Sequence, residues 1–96
     1  MIVRSWTAQA TRALAPAYTT HLQTHVLPTL RDIAGYAGAM LLQRDLTDGV
    51  EIIVLTYWQS LEAIRAFAGD PIEAAALLTQ FDTRVRHFEL VIRVGV

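Results

Sequence analysis

An α+β fold built on one antiparallel sheet is what the sequence predicts, on three observations. Segments rich in β-branched and aromatic residues alternate with stretches of helical pattern. Their order is β-α-β-β-α-β with one further short helix before the last strand, which is the ferredoxin-like split βαβ arrangement. Asp48-Gly49 between the second and third strands marks a hairpin, so those neighbours run antiparallel. With 96 residues, the chain is expected to form one domain spanning 1–96.

The first strand is read at residues 2–8, where Ile2, Val3, Trp6 and Thr7 favour extended structure and no helical stripe fits. An Ala- and Thr-rich connection follows at 9–15. The first helix is expected from Pro16 to Arg31. Proline suits a first helical position, because its missing N–H has no intrahelical partner there. Leu14, Tyr18, Leu22, Val26 and Leu30 recur every four residues and give one apolar face. Pro28 is expected to kink this helix or split off its last turn, and Gly35 is the candidate C-cap.

The second strand is read from Ala37 to Leu46, the turn at Thr47-Asp48-Gly49, and the third strand from Val50 to Trp58. Ile52-Ile53-Val54-Leu55 makes the third strand apolar on both faces, as expected of a strand covered on both sides. Ser60 is placed to cap a second helix ending near Ala68. A third helix is expected from about Pro71 to Gln80. The last strand is expected at Thr83–Val94, about twelve residues against a usual five or six.

Hydrophobic residues make up 53% of the chain and charged ones 18%, against typical shares of about 45–50% and about 25%. Disorder is excluded by that composition. No run approaches the roughly 18 apolar residues of a membrane span. The excess apolar surface calls for a protein partner, a lined cavity, or both. The both-face apolar strands at 50–58 and 83–94 place it on a sheet shared face to face by two copies, a homodimer, and on a pocket under the helices. Net charge is −1, all eight cations are Arg, and no basic cluster exists beyond Arg84-x-Arg86. Nucleic acid and membrane are therefore not expected as partners. The absence of Cys excludes disulfides, thiolate nucleophiles and Cys-ligated metals. The N-terminal residues lack a signal-peptide pattern, so a cytoplasmic location is the expectation.

Four stretches carry a resemblance to a known family: Gly35-Tyr36-Ala37-Gly38-Ala39, Leu41-Leu42-Gln43-Arg44, the run from Glu51 to Gly69, and Val85-Arg86-His87-Phe88-Glu89. Thr56-x-Trp58-x-Ser60-Leu61-Glu62-Ala63-Ile64-x-x-Phe67-Ala68-Gly69 is the most specific part. Together they resemble the antibiotic biosynthesis monooxygenase family, the dimeric α+β barrel proteins, over nearly the whole chain. The resemblance implies a dimeric α+β barrel with a site between sheet and helices. It also implies either cofactor-independent oxygenation of flat phenolic or quinol-type substrates, or haem binding and degradation. The haem-degrading branch carries an Asn on the first strand, a Trp at the third-strand end and a His on the following helix. Trp58 matches the Trp. This chain contains no Asn, and Ile64-Arg65-Ala66-Phe67-Ala68 brings no His after Trp58.

His21 and His25 lie four apart and share a helical face, with His25 expected to lean toward the sheet and His21 to flank it. They either line a pocket as proton-transfer groups or stand partly exposed without a role. A metal site is not expected, because no carboxylate accompanies the pair in HExxH fashion. His87 and Glu89 share a strand face, either as a general base with its orienting carboxylate or as a polar contact with Arg4 or Arg93 in a dimer interface. Trp58 and Phe67 are either core or an aromatic wall for a flat ligand. The expected site thus draws its base from His25, His21 or His87. Its walls come from Trp58, Tyr18, Phe67, Trp6 and Leu22. It has no resident metal or cofactor, haem being the alternative, and a small aromatic molecule as ligand. A non-catalytic dimeric barrel is the further alternative.

Overall fold

In the computed structural model, which describes residues 1–68 and 82–95, one sheet carries the chain. Its strands are β1 (Ile2–Ala10), β2 (Tyr36–Leu46), β3 (Gly49–Trp58) and β4 (Asp82–Glu89), in the spatial order β2-β3-β1-β4 and antiparallel throughout. Between β1 and β2 runs a helical segment. It begins as α1 (Ala15–His21), passes through a π turn at Leu22–Val26 and ends in a 3-10 turn at Leu27–Asp32. The second helix, α2, spans Leu61–Ala68. This is the ferredoxin-like α+β arrangement expected from the order of elements. The expected third helix at 71–80 lies outside the described residues.

Strict alternation sorts the strands into two faces. Val50, Ile52, Val54, Thr56 and Trp58 of β3 are buried under the helices, as are Arg4, Ala8 and Ala10 of β1. Tyr18 and Leu22 close over Ala8, Ile52 and Val54 in one core cluster. Leu30, Trp58 and Ile64 form a second. The opposite face carries register rows of Leu42 with Ile53, Met40 with Leu55, and Tyr57 with Val3 and Phe88. Met40, Leu42 and Phe88 are exposed there, so this face is apolar as the β3 pattern implied.

The single long helix expected over 16–31 is broken instead. Pro16 does stand in the first turn of α1. Pro28 has no N–H to return to the preceding turn, and the chain tightens around it, with Thr29 Oγ1 donating to Val26 O at 2.6 Å. The segment ends at Asp32, since Ile33 is already extended, so Gly35 is not its cap. Gly35 (φ +87°) is the third residue of a turn closed by Tyr36 N–H donating to Ile33 O at 3.1 Å. A Cβ there would lie 2.5 Å from Ala63 Cβ, so α2 packs directly on this turn.

The hairpin also differs in detail. Leu46 pairs with Gly49, so the loop is Thr47-Asp48, and Gly49 belongs to β3. No non-glycine residue among those described has positive φ, nor does Gly49. Gly49 is required by proximity: a Cβ there would stand 2.6 Å from Ala10 O. At the other end of β2 a bulge at Ala37 turns Tyr36 onto the face of Trp58, where the rings meet edge-on at 5.6 Å. Ser60 caps α2 as expected, accepting from Ala63 N–H at 3.2 Å.

The last strand is eight residues long, not twelve. Among the described residues it pairs only with β1, and β1 starts at Ile2, so pairing there runs out after Glu89 apart from Leu90 N–H donating to Met1 O at 2.9 Å. Beyond it Val91, Ile92 and Val94 are exposed.

Candidate functional site

Between the two core clusters lies a cavity of about 240 Å³. Its floor is the sheet. Alternation along β1 brings Arg4 and Trp6 into it, and alternation along β3 brings Val54 and Thr56. Its roof is the broken helical segment, through Tyr18, His21, Leu22, Val26, Leu27 and Leu30. Phe67 of α2 closes one side.

The aromatic groups are arranged as stacked pairs. Trp6 and Tyr18 lie 5.6 Å apart between ring centroids at 26°, joining floor to roof. Phe67 stacks on Trp58 at 5.3 Å and 22° and also lies under the Arg4 guanidinium, 5.7 Å from Cζ to the ring centroid. Trp58 itself is fully buried behind the wall and is not part of the cavity lining. Its indole N–H donates to Thr56 Oγ1 at 2.7 Å. Burial pushes the Tyr18 phenol up from 10.0 to about 12, so it is a neutral hydroxyl at every physiological pH.

Of the residues singled out in the sequence, Trp6, Tyr18, His21, Leu22 and Phe67 meet at this cavity. The histidines exchange the places expected of them. His21 lines the cavity from an exposed position, and His25, also exposed, lies outside it, their rings 5.4 Å apart. The π turn is the reason. Its bonds run from i to i+5, with Leu27 N–H reaching Leu22 O, so it turns through a smaller angle per residue than an α-helix. His25 thus stops short of the direction that an α-helical wheel assigns it, while Val26 comes round to the cavity. His87 is half-buried on the helix-covered face, opposite Arg4 in the register, and does not line the cavity.

Arg4 and Thr56 are site residues that sequence reasoning passed over. The signal was present: period two from Trp6 gives Arg4, and period two from Trp58 gives Thr56 and Val54. No group of three or more His, Asp or Glu among the described residues is placed to hold a metal ion. No helix among them is long and apolar enough to cross a membrane.

No family model matches the chain, and no curated protein matches it by sequence. Solved structures match it over its whole length. The haem-degrading protein MhuD of Mycobacterium tuberculosis, with two haems bound in its active site, superposes with a TM-score of 0.75 at 22% identity, covering 99% of this chain and 100% of that one. The haem-free form of that protein, cleaved, matches with a TM-score of 0.68 at 27% identity, covering 100% and 98%. An antibiotic biosynthesis monooxygenase from Deinococcus radiodurans, so classed without an assigned activity, matches with a TM-score of 0.70 at 18% identity, covering 100% and 98%. The α+β fold of a single chain that the sequence motifs implied is therefore the one found: this chain has the fold of the antibiotic biosynthesis monooxygenases.

Proposed function

We propose that the cavity binds a small flat phenolic or quinol-type molecule and oxidises it with O2, with no resident cofactor. The observation that carries this reading is the cavity itself: apolar, walled by Trp6, Tyr18 and Phe67, and holding one imidazole, His21, at its lining. Its volume, about 240 Å³, stands just under the roughly 300–1,000 Å³ of drug-sized ligand sites and suits one fused ring system.

Such chemistry needs a substrate able to give electrons to O2 once ionised. His21 takes a proton from a ring-activated methylene, leaving an anion delocalised onto the ring oxygen. The anion passes one electron to O2, and the radical pair combines to form a C–O bond. The peroxide takes the proton back from His21. Loss of water then breaks the O–O bond and leaves a ketone, so one oxygen atom enters the product and the other leaves as water. The apolar walls exclude water from the anion. Tyr18, neutral up to about 12, contributes an O–H donor and no competing base.

Haem is the second reading, favoured by the His21 imidazole beside the cavity and by the haem-bound structure that shares this fold. A cavity of about 240 Å³ accommodates only part of a porphyrin. Two copies packed through the apolar face bearing Leu42, Ile53 and Phe88 complete the proposed assembly.

Oxygen uptake with 1,8-dihydroxyanthrone, in chelator-treated buffer, is expected to exceed the uncatalysed rate. His21→Ala is expected to lower kcat by about 10²–10⁴-fold, and His25→Ala to leave it unchanged. Uptake no faster than in buffer, or an unaffected His21→Ala enzyme, would overturn the oxygenase reading. A Soret shift on haem titration that disappears in His21→Ala would favour haem instead.

A further inference from the structure

His21 and His25 stand side by side on the helical segment that roofs the cavity. Both are exposed, and their ring centroids lie 5.4 Å apart with the planes inclined at 41°. His21 is the last residue of α1, and His25 lies within the π turn that follows. Among the described residues neither imidazole is engaged in a hydrogen bond or an ion pair, so their nitrogens are not committed elsewhere.

The separation has a chemical meaning. An imidazole nitrogen lies about 1.1 Å from its ring centre and binds a transition-metal ion at about 2.0–2.1 Å, so two rings sharing one ion stand with centroids roughly 4.5–5.1 Å apart. At 5.4 Å the pair is close to the upper end of that span, and a small rotation of an exposed side chain closes the difference. The surroundings decide which ion fits. No Asp, Glu, Lys or Arg occurs from Ala13 to Leu30, so no cation of the segment repels an arriving ion and no carboxylate draws a hard one. Among the described residues no third His, Asp or Glu joins the pair. Two imidazoles with water in the remaining positions suit Ni2+, Cu2+ and Zn2+, whereas Mg2+ and Ca2+ ask for oxygen. The HExxH pattern, which the sequence lacks, describes a resident catalytic ion; an exposed pair of imidazoles holds an exchangeable one.

We propose that His21 and His25 form a two-imidazole site for an exchangeable divalent transition-metal ion, and that an ion held there shuts off the proton-accepting capacity of His21 at the cavity. A neutral imidazole has one nitrogen with a free lone pair. Once that nitrogen coordinates an ion, none remains to take a proton from a substrate. The ion-binding half stands on the geometry of the pair alone. The inhibitory half rests on the proposed role of His21 as base.

Calorimetric titration of the whole chain, prepared without a histidine tag, with NiCl2 and with MgCl2 tests the first half. Ni2+ is expected to bind and Mg2+ to give no binding heat. His21→Ala and His25→Ala are each expected to weaken Ni2+ binding by at least about tenfold, since even residues that only support a metal ligand carry that much. Both changes fall at exposed positions, and circular dichroism of the variants is expected to match the wild type. Ni2+ affinity unchanged in both variants, or Mg2+ binding as tightly as Ni2+, would overturn the site. Oxygen uptake with 1,8-dihydroxyanthrone tests the second half. ZnCl2 is expected to slow it in the wild type and to leave His25→Ala unaffected, although that variant turns substrate over at the wild-type rate. Equal slowing in His25→Ala would overturn inhibition through the pair. Ni2+ binding that depends on both histidines, in a chain whose oxygen uptake ignores saturating zinc, would uphold the ion site and overturn His21 as the base.

Discussion

His21 and His25 differ by four positions and by their relation to the cavity. Both are exposed, but only His21 lies at the cavity lining, because the π turn between them withholds part of a turn. Arg4 shows the converse: a cation read from the sequence only as a polar contact of His87 and Glu89 comes to line the cavity floor through alternation alone. Tyr18 gives a residue-scale prediction. Burial raises its folded pKa from 10.0 to about 12, so the native state binds its proton more tightly than the unfolded chain does. The contribution to stability is whole below pH 10 and is lost as pH rises from 10 through 12. Urea unfolding midpoints are expected to fall over that range in the wild type and to fall less in Tyr18→Phe.

At the scale of elements, β3 was legible almost to the residue, because Ile52 to Leu55 and Ser60 give an apolar run and a cap in the right order. The first helix was not. Its four-residue repeat of apolar residues fits an α-helix and equally fits a segment whose pitch changes halfway, and only the consequences of Pro28 hinted at the second. Glycines misled for a similar reason. Gly35 and Gly49 both read as punctuation, yet each is required by a neighbour from elsewhere in the chain, Ala63 and Ala10. Pairings of that kind are invisible until the elements pack. Gly35→Ala tests the point, since it demands both a positive φ and space that Ala63 Cβ occupies. It is expected to cost about 2 kcal/mol or more in chemical denaturation, with the loss transmitted to the seat of α2.

For the whole molecule, the apolar excess in the composition resolves into two places. One is the cavity under the helices, and the other is the opposite face, where Leu42 and Phe88 are exposed and Ile53 and Leu55 half-buried in the described chain. The composition could announce the excess but not divide it, because strands apolar on both sides say nothing of which side holds a hollow. A second copy on the open face is expected to appear in sedimentation as a dimer. Ile53→Glu is expected to shift the population to monomer while leaving the far-ultraviolet circular dichroism of the fold in place. The two sides of the cavity, meanwhile, are built from different grades of hydrogen bonding. The floor is a sheet with a regular ladder on both sides of β1, whereas the roof from Leu22 to Asp32 is a π turn joined to a 3-10 turn at a proline. Amide hydrogens of the roof should exchange with solvent much faster than those of β1 and β3. Local opening of the roof is thus expected at a free energy well short of unfolding the sheet beneath it.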